Sequence, residues 1–346
     1  MLYKLPLLLW LCLFCTQLFA KPIVIAHRGA SGYLPEHTLE AAVLAFSQGA
    51  DFIEQDLVLS KDLIPVVLHD IHLETVTNVE QVFPKRHRPD GRYYAMDFTL
   101  AELQTLNVHE RTTEQGKQVF PHRYQEPRNQ ERYHGQRYHG QSSFKIVTFE
   151  QQINLIQQLN RQFNRDVGLY VEIKSPLWHQ NNGADLSQIT LNILRKYNLD
   201  NMDSHVYLQC FDFAETQRLR NDLQAKVKLI QLIGENSWQE SESDYDYLKT
   251  AQGLKAIAKV AQGVGPWIPQ LFNFQQNKST DLLANAHQAG LLVHPYTFRK
   301  DDLPQSYSSE HMLDILFKDL QVDGVFTDFT DVVKEYLDKK GKNVQE

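Results

Sequence analysis

Short apolar runs recur along the chain, separated by stretches whose apolar positions repeat with a helical period. The runs cover 23–26, 52–59, 169–173, 206–210, 228–233, 263–265, 291–294 and 324–327. Between several of them lie amphipathic segments at 39–48, 186–196, 213–223, 280–289 and 310–320. Repeated strand–helix alternation predicts a parallel sheet with helices outside it, and eight such strands predict an α/β TIM (β/α)8 barrel. In that architecture the chemistry belongs to the C-terminal strand ends.

Two stretches interrupt the alternation. "PVVLHD", at 65–70, follows the second strand too closely for a crossover helix, so it predicts a hairpin return. A turn centred near Asp62 sets Asp56 opposite Leu68 and Glu54 opposite Asp70, and it hangs His69 over the rim beside the second strand. The segment 71–147 exceeds what a minimal barrel needs and predicts a small inserted subdomain. Thr99 offers a helix cap within it. Its later part, "RNQERYHGQRYHGQSS", has almost no aliphatic residues, and the His-rich tract 131–141 reads as an exposed loop.

The first twenty residues form a separate object. Lys4 is followed by a mostly apolar run and a small residue, Ala20, so 1–20 predicts a cleaved secretory signal and a periplasmic destination, in preference to an uncleaved or lipid-bearing anchor. The barrel domain then spans 21–340. Two of the three cysteines fall in the signal, leaving Cys210 alone, so no intrachain disulfide is available and the core must hold the fold. Composition is that of a globular protein, 42% hydrophobic and 22% charged. A net charge of −7 argues against a nucleic-acid partner and leaves a small anionic substrate open.

Candidate chemistry gathers at the predicted rim. Alternate strand residues share a face, so Glu54 projects with Asp56 in "DFIEQDLVLSKD", and Glu172 with Lys174 in "GLYVEIKSP". Each set alone fits an ordinary wet strand face or a simple ion pair. Together with His27, Arg28 and His69 they place three carboxylates, two histidines and two cations at one end of the barrel. The carboxylates are hard oxygen donors suited to Ca²⁺ or Mg²⁺. Arg28 and Lys174 suit a phosphate, and the histidines suit proton transfer. The residues therefore point to metal-assisted phosphodiester cleavage. Glu36 and His37 either touch substrate or merely lead into the helix after Thr38. Phe211, Trp267 and Tyr296 either wall the substrate carbons or serve packing. Asp328 reads as a helix or loop cap.

"HRGASGYLPEHT", "EQDLVLSKD", "VVLHD" and "EIK", in this order, resemble the signature of the glycerophosphodiester phosphodiesterase family. "DGRYYAMDFTL", "YLQCFD", "VHPYT" and "GVFTDF" make the chain similar to its bacterial periplasmic branch. The resemblance implies a TIM barrel and a divalent ion, Ca²⁺ in preference to Mg²⁺, on Glu54, Asp56 and Glu172. It implies His27 as proton acceptor, His69 as proton donor, and Arg28 and Lys174 near the phosphate. The implied reaction converts glycerophosphodiesters to sn-glycerol 3-phosphate and an alcohol. A phospholipase-type lyase giving a cyclic phosphate, or a non-catalytic binding role, are the rival expectations.

Overall fold

A computed structural model describes residues 21–123 and 143–343; the signal segment 1–20 and the His-rich tract 131–141 lie outside the described residues. Eleven strands are present among them: β1 (Ile23–Ala26), β2 (Phe52–Leu59), β3 (Pro65–Val67), β4 (Gly168–Ile173), β5 (Val206–Cys210), β6 (Lys228–Ile233), β7 (Gly263–Pro266), β8 (Phe272–Asn273), β9 (Lys278–Ser279), β10 (Leu292–Val293) and β11 (Gly324–Thr327). Eight of these run parallel in the order β10-β7-β6-β5-β4-β2-β1-β11. The two ends of that path approach each other: Asp323 N donates to Val293 O at 3.1 Å and Phe326 N to Pro295 O at 3.0 Å. The result is a nearly closed barrel with helices outside, the architecture the alternation predicts.

Aromatic side chains fill part of the interior. Phe52, Tyr170, Tyr207 and Phe326 cluster with Ile25 and Ile230, and Phe52 meets Tyr170 edge-on at 6.0 Å. Gly168 is required here, because a Cβ at that position would come within 2.3 Å of the Phe52 ring. The larger apolar cluster lies between the strands and the surrounding helices.

The hairpin takes the register expected of it. Leu57 faces Val67, Val58 faces Val66, and Leu59 faces Pro65 in the antiparallel β2–β3 pair. Leu68 N then donates to Asp56 O at 2.9 Å, which carries His69 and Asp70 back over the strand end. The insert packs on this hairpin. Leu73, Val76, Val79, Tyr93, Phe98, Leu103 and Leu106 form a second apolar cluster with Val58, Val66 and Leu68. Thr99 caps the short helix Leu100–Leu103 in a reciprocal box with Glu102.

Several helices differ in extent from the periodic pattern. The 213–223 segment is helical only at Phe213–Asn221, and 280–289 only at Leu282–Gln288. The 310–320 segment is α-helical at Ser309–Asp314 and then a π-helical turn at Ile315–Asp319. A fifteen-residue helix at Phe149–Phe163, capped by Thr148 and ended by Asn164 in the left-handed region, leads from the insert into β4. The β8–β9 hairpin was not signalled by periodicity, because strands of two residues carry no alternation to read. Among the described residues, no helix is long and apolar enough to cross a membrane.

Candidate active site

The parallel register builds the acidic layer. Asp56 on β2 is the Cα partner of Glu172 on β4, and Glu172 is in turn the partner of Gln209 on β5. Partners in adjacent parallel strands point to the same face, so three polar side chains enter the barrel mouth at one level, with Glu54 one pleat away. Glu54, Asp56 and Glu172 are all buried, and each offers a carboxylate oxygen within 4.8 Å of the others. Burial and mutual repulsion push the carboxyls of Glu54 and Glu172 well above their ordinary range. Burial acts on Asp56 in the same direction, but the facing His37, with His69 and Arg28, together outweigh it and Asp56 is held low.

This donor set fits a hard divalent cation. Asp56 Oδ1 is buried without a hydrogen-bond partner, while Oδ2 is bonded to His37 Nε2 at 2.7 Å. Glu54 is oriented by Gln209 Nε2 at 2.9 Å and by the Arg28 backbone N–H at 3.0 Å. A cation among these oxygens would satisfy the orphan atom and remove the repulsion that raises two of the three carboxyls.

Arg28 sits at the end of β1 with φ +58°, and Gly29 follows with φ +81°. A Cβ on Gly29 would approach the Ala41 carbonyl carbon to 2.9 Å, so the close packing of this turn on the helix Leu39–Ser47 requires glycine. The Arg28 guanidinium is ion-paired with Glu36 at 3.1 Å and approaches Asp56 at 3.6 Å. Lys174 donates to Glu172 at 2.7 Å and lies 3.4 Å from His69 Nε2. Burial opposes the Lys174 charge, yet Glu172, Glu240 and Asp56 outweigh it and hold the ammonium above its ordinary range.

Both histidines are oriented through Nδ1. His27 Nδ1 lies 2.5 Å from Asp328 and His69 Nδ1 lies 2.6 Å from Asp70. Burial works against both aspartates, but neighbouring cations keep them ionised, Arg299 foremost at Asp328 and Arg111 at Asp70. Each imidazole therefore donates Nδ1–H and keeps the Nε2 lone pair for other contacts. Burial and Arg28 push His27 down to about 4. Burial, Arg28 and Lys174 push His69 down to about 3, although its side chain keeps 27% of its surface exposed and solvent tempers the effect there.

A cavity of about 230 Å³ opens over these groups. His27, Arg28, Glu54, His69 and Glu172 line one part of it, and Phe211, Trp267, Tyr296 and Trp238 another. Trp238 and Trp267 meet edge-on at 5.3 Å and remain 43% and 38% exposed, forming an aromatic lip.

Most of the residues anticipated from sequence are thus brought together, and two are placed differently. Glu36 does not line the cavity; both its oxygens are held by Arg28 and Arg111. Asp328 is not a cap. It is buried and bonded to His27, Arg123 and Arg299, because the last strand delivers it beside the first. Arg111, Arg123, Arg299, Gln209 and Trp238 carry no local pattern that marks them. Only the strand register could have indicated Gln209, which follows the period-two face of "VYLQC".

The comparisons with known proteins bear on the family and the fold. A sequence model of the glycerophosphoryl diester phosphodiesterase family matches residues 27–332. A glycerophosphodiester phosphodiesterase of Haemophilus influenzae is 41% identical over 345 residues, covering 93% of this chain and 91% of that protein. Among solved structures, a putative glycerophosphoryl diester phosphodiesterase from Silicibacter pomeroyi superposes with a TM-score of 0.68 at 22% identity, covering 93% of this chain and 95% of that one. An Oleispira antarctica phosphodiesterase, solved with its product sn-glycerol-3-phosphate, superposes with a TM-score of 0.57 at 20% identity, covering 92% and 97%. A match over residues 27–332, together with a relative this similar over nearly its whole length, shows that the chain belongs to the glycerophosphoryl diester phosphodiesterase family.

Proposed function

We propose that the chain hydrolyses glycerophosphodiesters, such as glycerophosphocholine and glycerophosphoethanolamine, to sn-glycerol 3-phosphate and an alcohol, with Ca²⁺ as its metal. The carrying observation is that one cavity collects two carboxylate-oriented histidines, Arg28, and Glu54 and Glu172 of a buried three-carboxylate cluster. The named activity of the Haemophilus relative and the product bound by the Oleispira enzyme support the same substrate class.

Glu54, Asp56 and Glu172 would hold the metal, which supplies charge stabilisation to the phosphoryl oxygens when bound. Arg28 and Lys174 bind and orient the phosphodiester. His27 Nε2 takes a proton from the attacking water as the new P–O bond forms. The P–O bond to the alcohol breaks, and His69 Nε2 delivers a proton to the departing alkoxide. The low proton affinity of free His69 comes first from burial, then from Arg28 and Lys174. An anionic phosphate beside those two cations offsets them and favours the imidazolium that the donor role needs. Phe211, Trp267 and Tyr296 limit water around the glycerol carbons.

The polar–apolar pattern of residues 1–20 supports export to the periplasm. The deciding experiment is release of glycerol 3-phosphate from a panel of glycerophosphodiesters with Ca²⁺, Mg²⁺ and a chelator. Chelator-sensitive release restored best by Ca²⁺ is expected. Release that ignores the chelator overturns the metal assignment, and no release from any diester overturns the function.

A further inference from the structure

The strand ends do not hold the catalytic groups unaided. After the insert's apolar cluster the chain returns across the barrel mouth, tied to the insert by His109 N to Val76 O at 2.9 Å and Thr112 N to Thr75 O at 2.8 Å. This return carries two arginines, Arg111 partly buried and Arg123 buried. Arg111 donates to Glu36 from Nε at 2.9 Å and from Nη2 at 2.6 Å, and to Asp70 from Nη1 at 2.5 Å. Glu36 holds Arg28, and Asp70 holds His69. Arg123 donates to Asp328 at 2.6 Å and to Asp301 at 2.8 Å, and Asp328 holds His27.

We infer that the insert acts as a brace for catalysis, with Arg111 and Arg123 as positioning residues for the glycerophosphodiesterase reaction. Arg111 positions His69 through Asp70 and Arg28 through Glu36, while Arg123 positions His27 through Asp328. The inference rests on the function proposed above. Its physical basis is the fork of the guanidinium, whose donors hold two carboxylates at fixed angles where a lysine would offer one point charge. Each aspartate in turn fixes the ring plane and tautomer of its histidine. Arg299 also bonds Asp328, at 2.9 Å, so the His27 side has a second support, whereas among the described residues Arg111 is the one arginine bonded to Asp70 on the His69 side.

This asymmetry makes the two arginines distinguishable. Arg123→Gln is expected to lower kcat about tenfold with KM within about twofold, because it reaches one general acid–base group. Arg111→Gln is expected to lower kcat at least as much and also to raise KM severalfold, because it reaches the phosphate-binding arginine too. The variants Arg123→Gln/Asp328→Asn and Arg111→Gln/Asp70→Asn should each have a kcat within about twofold of the aspartate variant alone, since each pair acts as a unit. Circular dichroism and Ca²⁺ titration confirm that each variant folds and binds metal. Where a glutamine variant fails to fold, the lysine variant carries the same test. An active wild type whose arginine variants keep full kcat, or whose double variants multiply the single losses, overturns the brace alone. An inactive wild type overturns the function and the brace together.

Discussion

His37 Nε2 lies 2.7 Å from Asp56 Oδ2, and this one bond leaves Oδ1 as the buried, unpartnered atom of the acidic cluster. The side chain that opens the turn before the first helix therefore aims an oxygen supplied by the second strand. Thr38 caps that helix by accepting from the Ala41 N–H at 3.1 Å, which fixes where His37 starts. Such second-layer contacts set carboxylate orientation and tune metal affinity. His37→Ala is expected to weaken Ca²⁺ binding by about 10- to 100-fold while the fold persists. Calorimetric titration of the variant measures this, and unchanged affinity would show that Asp56 is oriented by strand geometry alone.

The histidine roles proposed above rest on their second nitrogens. With Nδ1 committed to Asp328 or Asp70, only Nε2 is available for proton transfer. His27→Ala and His69→Ala should each lower kcat by about 10²- to 10⁴-fold, the range for loss of a general acid or base. Ca²⁺ affinity should change little, because neither ring belongs to the carboxylate cluster. A leaving group of low pKa, such as p-nitrophenol, should restore turnover in His69→Ala and leave His27→Ala inactive. Equal rescue of both variants would remove the assignment of His69 as donor.

These groups were not equally legible in the sequence. Glu54, Asp56, Glu172 and Lys174 could be read because strand periodicity is local and parallel strands deliver their C-terminal ends to one rim. His69 could be read because a hairpin's register follows from its turn. Arg111 and Arg123 could not, since their bonds to Glu36 and Asp328 span 75 and 205 residues and are set by how the insert crosses the barrel. Asp328 was obscured for the same reason: an aspartate after a strand looks like a cap until the neighbouring strand places His27 beside it. Sequence alone leaves Glu36 open between a substrate contact and a helix lead-in, because its partner Arg111 lies 75 residues away in the sequence.

Metal binding should be linked to pH in a defined direction. Burial and mutual repulsion raise Glu54 and Glu172 above their ordinary 4.5, so the metal-free fold retains protons that the unfolded chain has already released. Stability of the metal-free protein should therefore fall as pH rises above that value. Ca²⁺ requires the ionised forms, so its affinity should rise over the same interval with release of protons. At about 100 times its Kd, Ca²⁺ is expected to stabilise the fold by about 2.7 kcal/mol. Thermal unfolding with and without chelator across pH 5 to 8 checks both slopes, and a metal effect that shrinks with rising pH would contradict the carboxylate assignment.

Glu110 gives a pH dependence separate from the metal. It is 6% exposed, its Oε2 has no hydrogen-bond partner, and burial followed by the Glu36 carboxylate pushes its carboxyl from 4.5 up to about 8. The folded state thus holds a proton between those values that the unfolded state has lost, and stability declines as pH rises through that window. Above it the buried carboxylate is charged and the full loss is present. Glu110→Gln keeps the shape and removes the titration. The variant should match wild type near pH 4.5 and exceed it at pH 8.5 by on the order of 4 kcal/mol. Denaturant unfolding at the two pH values, in chelator so that the metal does not contribute, measures the difference. A gain of equal size at both would trace to packing, and ionisation of Glu110 would then play no part in it.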